Sequence, residues 1–228
     1  MRIALTQGEG RLERLAADLS ARGFEVLRIP LIETSPRLTP VVRARARALL
    51  DCPWMLFTSR SGVEAWQALE LPFHGPLIGA VGNKTASALR TAGAEVRLIG
   101  KPQTAEGLAQ SFLGNPDASG PVGLPRGNRA LITLQRLLEE AGVEVKPVIV
   151  YDTTTRRWQH EQGEVDVVVL ASPSATEALP QKVGERAVVV ALGPSTCAAA
   201  SARGFTAQQA TAPTATAVLN VIERLVRS

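Results

Sequence analysis

The sequence predicts an α/β protein made of two small domains, each a parallel β-sheet with helices on both faces. Short apolar runs that end in Gly, Ser, Thr or Pro alternate with segments of helical apolar spacing. The same order of segments occurs twice in the 228 residues, a length sufficient for two small cores. Strands that alternate with helices of this length favour parallel sheets covered on both faces.

An internal duplication is visible when the chain is compared with itself. The segment that begins at Ile3 aligns without gaps to the segment that begins at Val122, so that Gly8 falls on Gly127 and Leu12 on Leu131. Three further blocks match in the same order: Met55 to Trp66 with Val168 to Leu179, Ala80 to Gly93 with Ala191 to Gly204, and Pro102 to Ala105 with Pro213 to Thr216. Matches in one order along the chain indicate duplication rather than chance similarity.

The first helix of each copy has an apolar face that ends at a glycine. The segments concerned are Arg11 to Arg22, with Leu12, Leu15 and Leu19 on one face, and Arg129 to Ala141, with Leu131, Leu134 and Leu138 on one face. Gly23 and Gly142 follow directly and are the expected helix stops. Each domain is therefore expected to resemble a flavodoxin-like doubly wound sheet.

The loops after the predicted strands are the expected ligand sites, because ligands of doubly wound sheets collect at the carboxyl ends of the strands. These loops are rich in glycine and short hydroxyl side chains, and they lead into helix N-termini, whose free N–H groups suit carboxylates or phosphates. The predicted binding residues are Thr58, Ser59, Arg60, Ser61, Gly82, Asn83, Lys84, Thr85, Arg126, Ser172, Pro194, Ser195 and Thr196. Ordinary N-capping explains the Ser, Thr and Asn residues equally well, and the sequence alone leaves both interpretations open.

Composition excludes several classes of partner. The net charge of +4 and the pI of about 9.6 suit an anionic ligand, but aromatic residues make up only 4% of the chain and long basic runs are absent. We therefore expect no nucleic-acid partner. The longest apolar runs, such as Val167 to Ala171, are too short to span a membrane, and the N-terminus lacks the apolar stretch of a signal peptide. A cytoplasmic location is expected.

Cofactor and metal chemistry are not expected either. Cys52 and Cys197 lie far apart without histidine or cysteine at ligand spacing, and His74 and His160 are the only histidines. The sequence contains no GxGxxG, P-loop, HExxH or paired CxxC motif. The residues themselves therefore do not identify a reaction.

A set of ordered blocks resembles the uroporphyrinogen-III synthase family over nearly the whole chain. LFTSRSGVEAW is similar to the family's "TSxxGV" block, AVGNKTASALRTAG to "VGxxTAxxLxxxG", TAEGLAQSF to its "SAEGL" helix and LGPSTCAAASARGF to "IGPTTAxAxxxxG". Tyr151, Asp152 and Thr153 match the "YxT" signature. Thr6-Gln7-Gly8 departs from the "TRP" turn with which the family often begins.

The resemblance implies a cofactor-free lyase that cyclises hydroxymethylbilane with loss of water and inversion of ring D. The product, uroporphyrinogen III, feeds haem, sirohaem, cobalamin and chlorophyll synthesis. The substrate is a linear tetrapyrrole polycarboxylate, and a monomer is expected. Because backbone N–H groups would hold the carboxylates, alanine at Ser59 or Ser195 is expected to cost only about 1 kcal/mol.

Tyr151 is the predicted catalytic residue. It is the only tyrosine, it follows the apolar run Pro147 to Val150 and so is expected to close a strand, and it occupies the "YxT" position. A phenol with an ordinary pKa of about 10 is protonated at neutral pH and can donate to a leaving hydroxyl group. The alternative is a packing tyrosine with a solvated hydroxyl.

Domain boundaries depend on which line of reasoning is followed. Composition alone favours a boundary in the polar stretch from Gly114 to Pro121. The family implies instead a discontinuous domain of residues 1–36 and 154–228 and a second domain of residues 37–153. Two extended crossings, near Thr34 to Thr39 and Asp152 to Arg157, would join them, with a cleft between. We predict this discontinuous arrangement, in which Gly114 to Pro121 is only a loop.

Two other functions remain open at this level. One is a non-enzymatic two-domain cleft protein that binds a small polyanionic ligand. The other is a nucleotide-sugar glycosyltransferase, for which the chain is short and lacks a glycine-rich nucleotide loop.

Overall fold

The computed structural model describes residues 1–7, 12–158 and 164–227. Gly8, Arg11 and His160, all named above, lie outside these residues. In the described chain the elements are β1 (Arg2–Leu5), α1 (Glu13–Ala21), β2 (Glu25–Arg28), β3 (Ile32–Pro36), α2 (Pro40–Arg47), a 3₁₀ turn (Ala48–Asp51), β4 (Trp54–Phe57), α3 (Arg60–Ala68), β5 (Leu77–Ala80), α4 (Asn83–Thr91), β6 (Val96–Ile99), α5 (Ala105–Leu113), β7 (Val122–Gly127), α6 (Thr133–Glu140), β8 (Val145–Thr155), β9 (Val167–Leu170), α7 (Pro173–Ala178), α8 (Gln181–Arg186), β10 (Val188–Ala191), α9 (Pro194–Ala202), β11 (Ala207–Gln209) and α10 (Ala215–Arg227).

The chain divides into two compact units. Unit 1 comprises the described parts of Met1–Glu33 and Thr154–Ser228, and unit 2 comprises Thr34–Thr153. The unit 1 sheet has the order β11-β10-β9-β1-β2, and all its pairings are parallel. Numbered within the unit, this is the flavodoxin-like order 2-1-3-4-5. The predicted α/β class with parallel sheets is confirmed.

The five parallel strands of unit 2 have the same spatial order as those of unit 1, but the chain enters this order at a different strand. Its sheet runs β3-β8-β7-β4-β5-β6, and the pairings of β8, β7, β4, β5 and β6 are parallel. If β7 is counted as the first strand, β8-β7-β4-β5-β6 is again 2-1-3-4-5. Each unit therefore combines the first two strands of one copy of the duplication with the last three strands of the other copy.

The central strands β4 and β9 are buried along their whole length, and their side chains alternate between two cores. Met55 and Phe57 pack with α3 and α4, whereas Trp54 and Leu56 pack with α5 and α6. In β9, Val167 and Val169 face one core, and Val168 and Leu170 face the other. Continuous apolar runs of this kind are typical of parallel strands covered on both faces.

Two details of the predicted elements are wrong. Leu131, expected on the buried face of its helix, is 85% exposed, because α6 begins only at Thr133; Leu134 and Leu138 are buried as expected. The last repeat block is shifted by one residue. The structural equivalents are Thr104 and Thr214, whose side chains accept hydrogen bonds from the backbone N–H three residues later.

The predicted helix stops are confirmed. Gly23 and Gly142 have φ angles of 85° and 82°, in the left-handed region that favours glycine. No helix in the described part of the chain combines the length and the apolarity that a membrane crossing needs.

Candidate active site

Most of the predicted site residues of unit 2 lie at one edge of its sheet. Thr58 to Ser61 follow β4, Gly82 to Thr85 follow β5, and Arg126 is the penultimate residue of β7. These strands are parallel, so that their carboxyl ends meet at the same edge. In unit 1, Ser172 follows β9, and Pro194, Ser195 and Thr196 follow β10, at the corresponding edge of its parallel sheet.

Ser59 and Ser172 are N-caps at equivalent positions of the duplication. The Ser59 Oγ accepts from the Gly62 N–H at 3.0 Å at the start of α3, and the Ser172 Oγ accepts from the Ala175 N–H at 3.2 Å at the start of α7. Both residues have the extended backbone of an N-cap. Helix capping is therefore one reason for a serine at both positions.

Tyr151 lies beside the β4–α3 loop. It is only 9% exposed, and its hydroxyl oxygen is 3.0 Å from the Ser59 Oγ. The expectation that Tyr151 closes a strand is wrong, because β8 continues to Thr155. Tyr151 instead pairs with Gly127, the last residue of β7. Its position in the middle of a long strand thus still places it at the carboxyl edge of the sheet.

The remaining side chains of the α3 entry have different environments. Thr58 is half-buried, Ser61 is buried and Arg60 is exposed. The Arg60 Nε donates to the Glu64 Oε1 at 2.8 Å within the same helix. This pair neutralises part of the positive charge that the sequence predicts at the site.

The N-terminus of α4 is covered by a side chain of the chain itself. Gly82, the N-cap, has no capping side chain of its own, and the Gln103 Oε1 accepts from the Asn83 N–H at 2.8 Å. A Cβ at Gly82 would lie 2.5 Å from the same oxygen, so that only glycine leaves room for this contact. Thr85 is buried, and Lys84 is exposed and has no ion-pair partner among the described residues.

Arg126 holds the loop that follows β7. Its guanidinium donates to the Ala130 carbonyl oxygen, and also to the Gln135 Oε1 at 3.1 Å. Asn128 links the same loop to β8, since its N–H donates to the Tyr151 carbonyl oxygen at 3.2 Å. Arg126 is half-buried and keeps a positive charge at the strand ends while it orders the loop.

The N-terminus of α9 in unit 1 is more open than that of α4. Gly193 is the N-cap without a side-chain cap, and no atom of the described residues, apart from its own chain neighbours and helix backbone, lies within 4 Å of a Cβ built there. Pro194 and Ser195 are exposed, whereas Thr196 is only 2% exposed. Because Thr104 and Thr214 are structurally equivalent, the residue that corresponds to Gln103 is Pro213. Proline has no side-chain acceptor, so that it cannot cover the α9 N-terminus as Gln103 covers that of α4.

Three features of the unit 2 edge were missed by sequence reasoning. Gln103 was overlooked, although it precedes the N-cap Thr104 in a duplicated block. Gly127 was aligned with Gly8 but not interpreted; a Cβ there would lie 2.5 Å from the Tyr151 Cζ. Arg37 was also missed: its Nε and Nη2 donate to Asp152 at 2.8 and 2.7 Å, and no local pattern signals a pair 115 residues apart.

The Arg37–Asp152 pair changes the pKa of the carboxylate that directly follows Tyr151 in the chain. Hydrogen bonding from Arg37, with a smaller Coulombic contribution, lowers the pKa of Asp152 against the opposing effect of desolvation. The same hydrogen bond raises the pKa of Arg37. Asp152 is therefore committed to an ion pair and is not an available proton donor at neutral pH.

A cavity of about 600 Å³ in unit 2 lies away from this edge. Its lining includes His74, Leu77 at the start of β5 and Arg97 near the start of β6, which places it near the amino ends of these strands. Neither Tyr151 nor any of the predicted binding residues is part of its lining.

The strand-end edge offers hydrogen-bond donors and positive charge for an anionic ligand, together with one buried phenol. Among the described residues, no group of three or more His, Cys, Asp or Glu side chains is placed to hold a metal ion. The arrangement can bind carboxylates and can move one proton at the Tyr151 oxygen.

Comparisons with known proteins agree on one family. The family model described as uroporphyrinogen-III synthase HemD matches residues 13–220. A uroporphyrinogen-III synthase of Synechococcus elongatus is 31% identical over 162 residues, a match that covers 66% of this chain and 60% of that relative. The match thus spans less than two thirds of the relative's length.

Two solved structures share the fold. A mutant uroporphyrinogen III synthase of Thermus thermophilus is 24% identical with a TM-score of 0.68, and the match covers 100% of both chains. The uroporphyrinogen-III synthetase of Helicobacter pylori is 16% identical with a TM-score of 0.67, and the match covers 99% of this chain and 100% of that one.

Proposed function

Because the chain belongs to the uroporphyrinogen-III synthase family, we propose that it cyclises hydroxymethylbilane to uroporphyrinogen III with loss of water. The observation that carries this proposal is the hydroxyl of the largely buried Tyr151, the only phenol of the chain, at the carboxyl edge of the unit 2 sheet. The family assignment favours an enzyme over a non-enzymatic binding protein.

Binding is assigned to the strand-end loops, whose donors match the acetate and propionate groups of the substrate. In unit 2, Thr58, Ser61, Asn83, Lys84 and Arg126 supply side-chain donors or charge near helix N-termini. In unit 1, Ser172 and Ser195 supply side-chain donors, and the first turn of α9, in which Pro194 has no N–H, supplies the backbone N–H groups of Ser195 and Thr196. The positive ends of the helix dipoles favour carboxylates at these positions.

Proton donation is assigned to Tyr151. As the terminal C–O bond breaks, the phenol proton passes to the leaving hydroxyl group, which departs as water and leaves an azafulvene. The azafulvene carbon is then attacked by the substituted carbon of ring D. The resulting spiro intermediate opens and recloses with ring D inverted, and the proton that the substrate loses at the end restores the phenol.

The larger task of the protein is conformational. The substrate cyclises readily without an enzyme to the non-inverted isomer, so that the protein must hold one folded arrangement of a flexible chain. Many carboxylates held by backbone N–H groups can do this without conspicuous catalytic side chains.

The direct test is to add hydroxymethylbilane to the purified chain and to separate the product isomers, with a protein-free sample as control. We expect isomer III to predominate with the protein and isomer I without it. Unchanged isomer I formation, with or without binding of the substrate, would contradict the proposed activity.

A further inference from the structure

Ser59 makes two hydrogen-bond contacts through one oxygen. The Oγ accepts from the Gly62 N–H at 3.0 Å, and the same Oγ lies 3.0 Å from the Tyr151 hydroxyl oxygen. A serine hydroxyl has one proton and two acceptor positions. Because Gly62 occupies one acceptor position, the serine proton is free to point at Tyr151.

The direction of the Ser59–Tyr151 hydrogen bond decides what Tyr151 can do. If Tyr151 donates to Ser59, the phenol proton is bound to the protein and is not available to a ligand. If Ser59 donates, the phenol oxygen is the acceptor and its own proton is left for another partner. The second arrangement forms a continuous series from the Gly62 N–H through Ser59 to Tyr151, in which each hydrogen bond strengthens the next.

We propose that Ser59 is a positioning residue that donates its hydroxyl proton to Tyr151 and thereby directs the phenol proton towards the substrate. This inference rests on the proposed function. As the phenol proton passes to the leaving hydroxyl group, negative charge develops on the Tyr151 oxygen. The Ser59 O–H then stabilises that charge, and the Gly62 N–H, in the first turn of α3, supports the serine oxygen from the positive end of the helix dipole.

Packing around the pair fixes its geometry. Tyr151 is 9% exposed, and a Cβ at Gly127 would lie 2.8 Å from the phenol oxygen, so that the strand backbone closes one side of the hydroxyl. A Cβ at Gly62 would lie 3.3 Å from the Ser59 Oγ, a tight contact on the serine side but a looser one than that at Gly127. The hydroxyl groups therefore have little freedom to find other protein partners.

This role changes the expected effect of removing the Ser59 side chain. Substitution of a residue that only caps a helix should leave the chemistry intact, whereas loss of a hydrogen bond to a developing charge should slow turnover roughly tenfold or more. Glycine is a tolerated N-cap, so that Ser59→Gly removes the hydroxyl with little loss of helix stability. Ser59→Thr keeps the hydroxyl and is the conservative rescue.

A double-mutant cycle tests whether Ser59 acts through Tyr151. We expect Ser59→Gly to lower turnover roughly tenfold or more in the wild-type background and to have almost no further effect in the Tyr151→Phe background. Ser59→Thr should restore most of the activity. Thr104→Ala, which removes the N-cap of α5 in the same unit without touching Tyr151, should leave turnover unchanged. Equal effects of Ser59→Gly in both backgrounds would overturn the inference.

A second readout is independent of activity. Tyr151 is the only tyrosine, so that protein labelled with ζ-¹³C tyrosine gives a single resonance from this phenol carbon. We expect that resonance to shift in Ser59→Gly and to keep its position in Ser59→Thr and Thr104→Ala. An unchanged resonance in Ser59→Gly would show that Ser59 does not bond Tyr151 and would overturn the inference. A wild-type chain that makes no isomer III would instead refute the proposed function, whatever the resonance does.

Discussion

The backbone of Gly127 lies against the ring of Tyr151, its partner across the β7–β8 ladder. A Cβ at Gly127 would be 2.5 Å from the Tyr151 Cζ, 2.6 Å from Cε2 and 2.8 Å from the hydroxyl oxygen. Real Cβ atoms do not approach that closely, so that any side chain at this position must move the ring. The 3.0 Å contact between Tyr151 and Ser59 therefore depends on the absence of a side chain at Gly127.

Gly127→Ala should displace the Tyr151 ring and slow turnover at least as much as loss of the Ser59 hydroxyl. Overpacking of this kind costs about 1–3 kcal/mol, which a folded domain tolerates. Gly123→Ala is the matched control, because it enlarges a glycine of the same strand but crowds the Leu49 Cβ at 3.1 Å instead of Tyr151. Urea unfolding and turnover are measured for both variants. Equal turnover in the two would mean that the position of the Tyr151 ring does not matter for catalysis.

Tyr151→Phe should fold normally and turn over about 10²–10⁴-fold more slowly, the usual contribution of a general acid. Loss of one buried hydrogen bond should lower the free energy of unfolding by only about 1 kcal/mol. Slower enzymatic closure lets spontaneous cyclisation compete, so that the proportion of isomer I should rise. Turnover and isomer ratio are measured together, and wild-type values of both would make Tyr151 a packing residue.

Gln103 tests whether the N-terminus of α4 contacts the substrate. Gln103→Ala removes the acceptor of the Asn83 N–H and should lower the free energy of unfolding by about 1 kcal/mol, the typical value of a lost cap. Gln103→Glu keeps an acceptor there, and its negative charge suits the helix dipole, so that stability should be retained.

The same Gln103→Glu variant should raise KM, because a resident carboxylate competes with and repels a carboxylate of the substrate. Comparison of KM and unfolding midpoint in the two variants separates capping from binding. An unchanged KM in Gln103→Glu would place α4 outside the substrate site.

The Arg37–Asp152 pair makes stability depend on pH. Because the pKa of Asp152 is lowered from 3.8 in the folded chain, chiefly by hydrogen bonding from Arg37, the unfolded chain binds this proton more readily. The contribution of the ion pair to the free energy of unfolding is therefore complete above pH 3.8, and it is lost as the pH falls through the lowered pKa of folded Asp152.

Asp152→Asn should be less stable than wild type at neutral pH, and the difference should shrink as the solution is acidified below 3.8. Arg37→Gln removes the other partner of the same ion pair, and its loss of stability relative to wild type should also shrink below that pH. Both side chains are partly exposed, 39% for Arg37 and 30% for Asp152, so that the effect is modest. Urea unfolding over a series of pH values provides the measurement, and a difference that stays constant into acid would contradict the role assigned to the pair.

Local patterns determined the repeated elements, because each depends on residues close together in the chain. The apolar runs at Trp54 to Phe57 and Val167 to Leu170 are strands, Gly23 and Gly142 stop helices, and Ser59 and Ser172 cap them. Local pattern reasoning was wrong where neighbours did not suffice. Leu131 has helical spacing but precedes the helix, and Tyr151 follows an apolar run but does not end its strand.

Only the tertiary structure decided which distant residues meet. Ser59 and Tyr151 are 92 residues apart, and their contact arises because β4 and β8 flank β7 in one sheet. Gln103 reaches Asn83 because β5 and β6 are neighbours, and Arg37 reaches Asp152 because β3 pairs with β8. The duplication supplies the same strand patterns twice and hence cannot itself specify which copy a strand joins. That choice is made by long-range pairing and packing, whose partners are not encoded in any short stretch of the sequence.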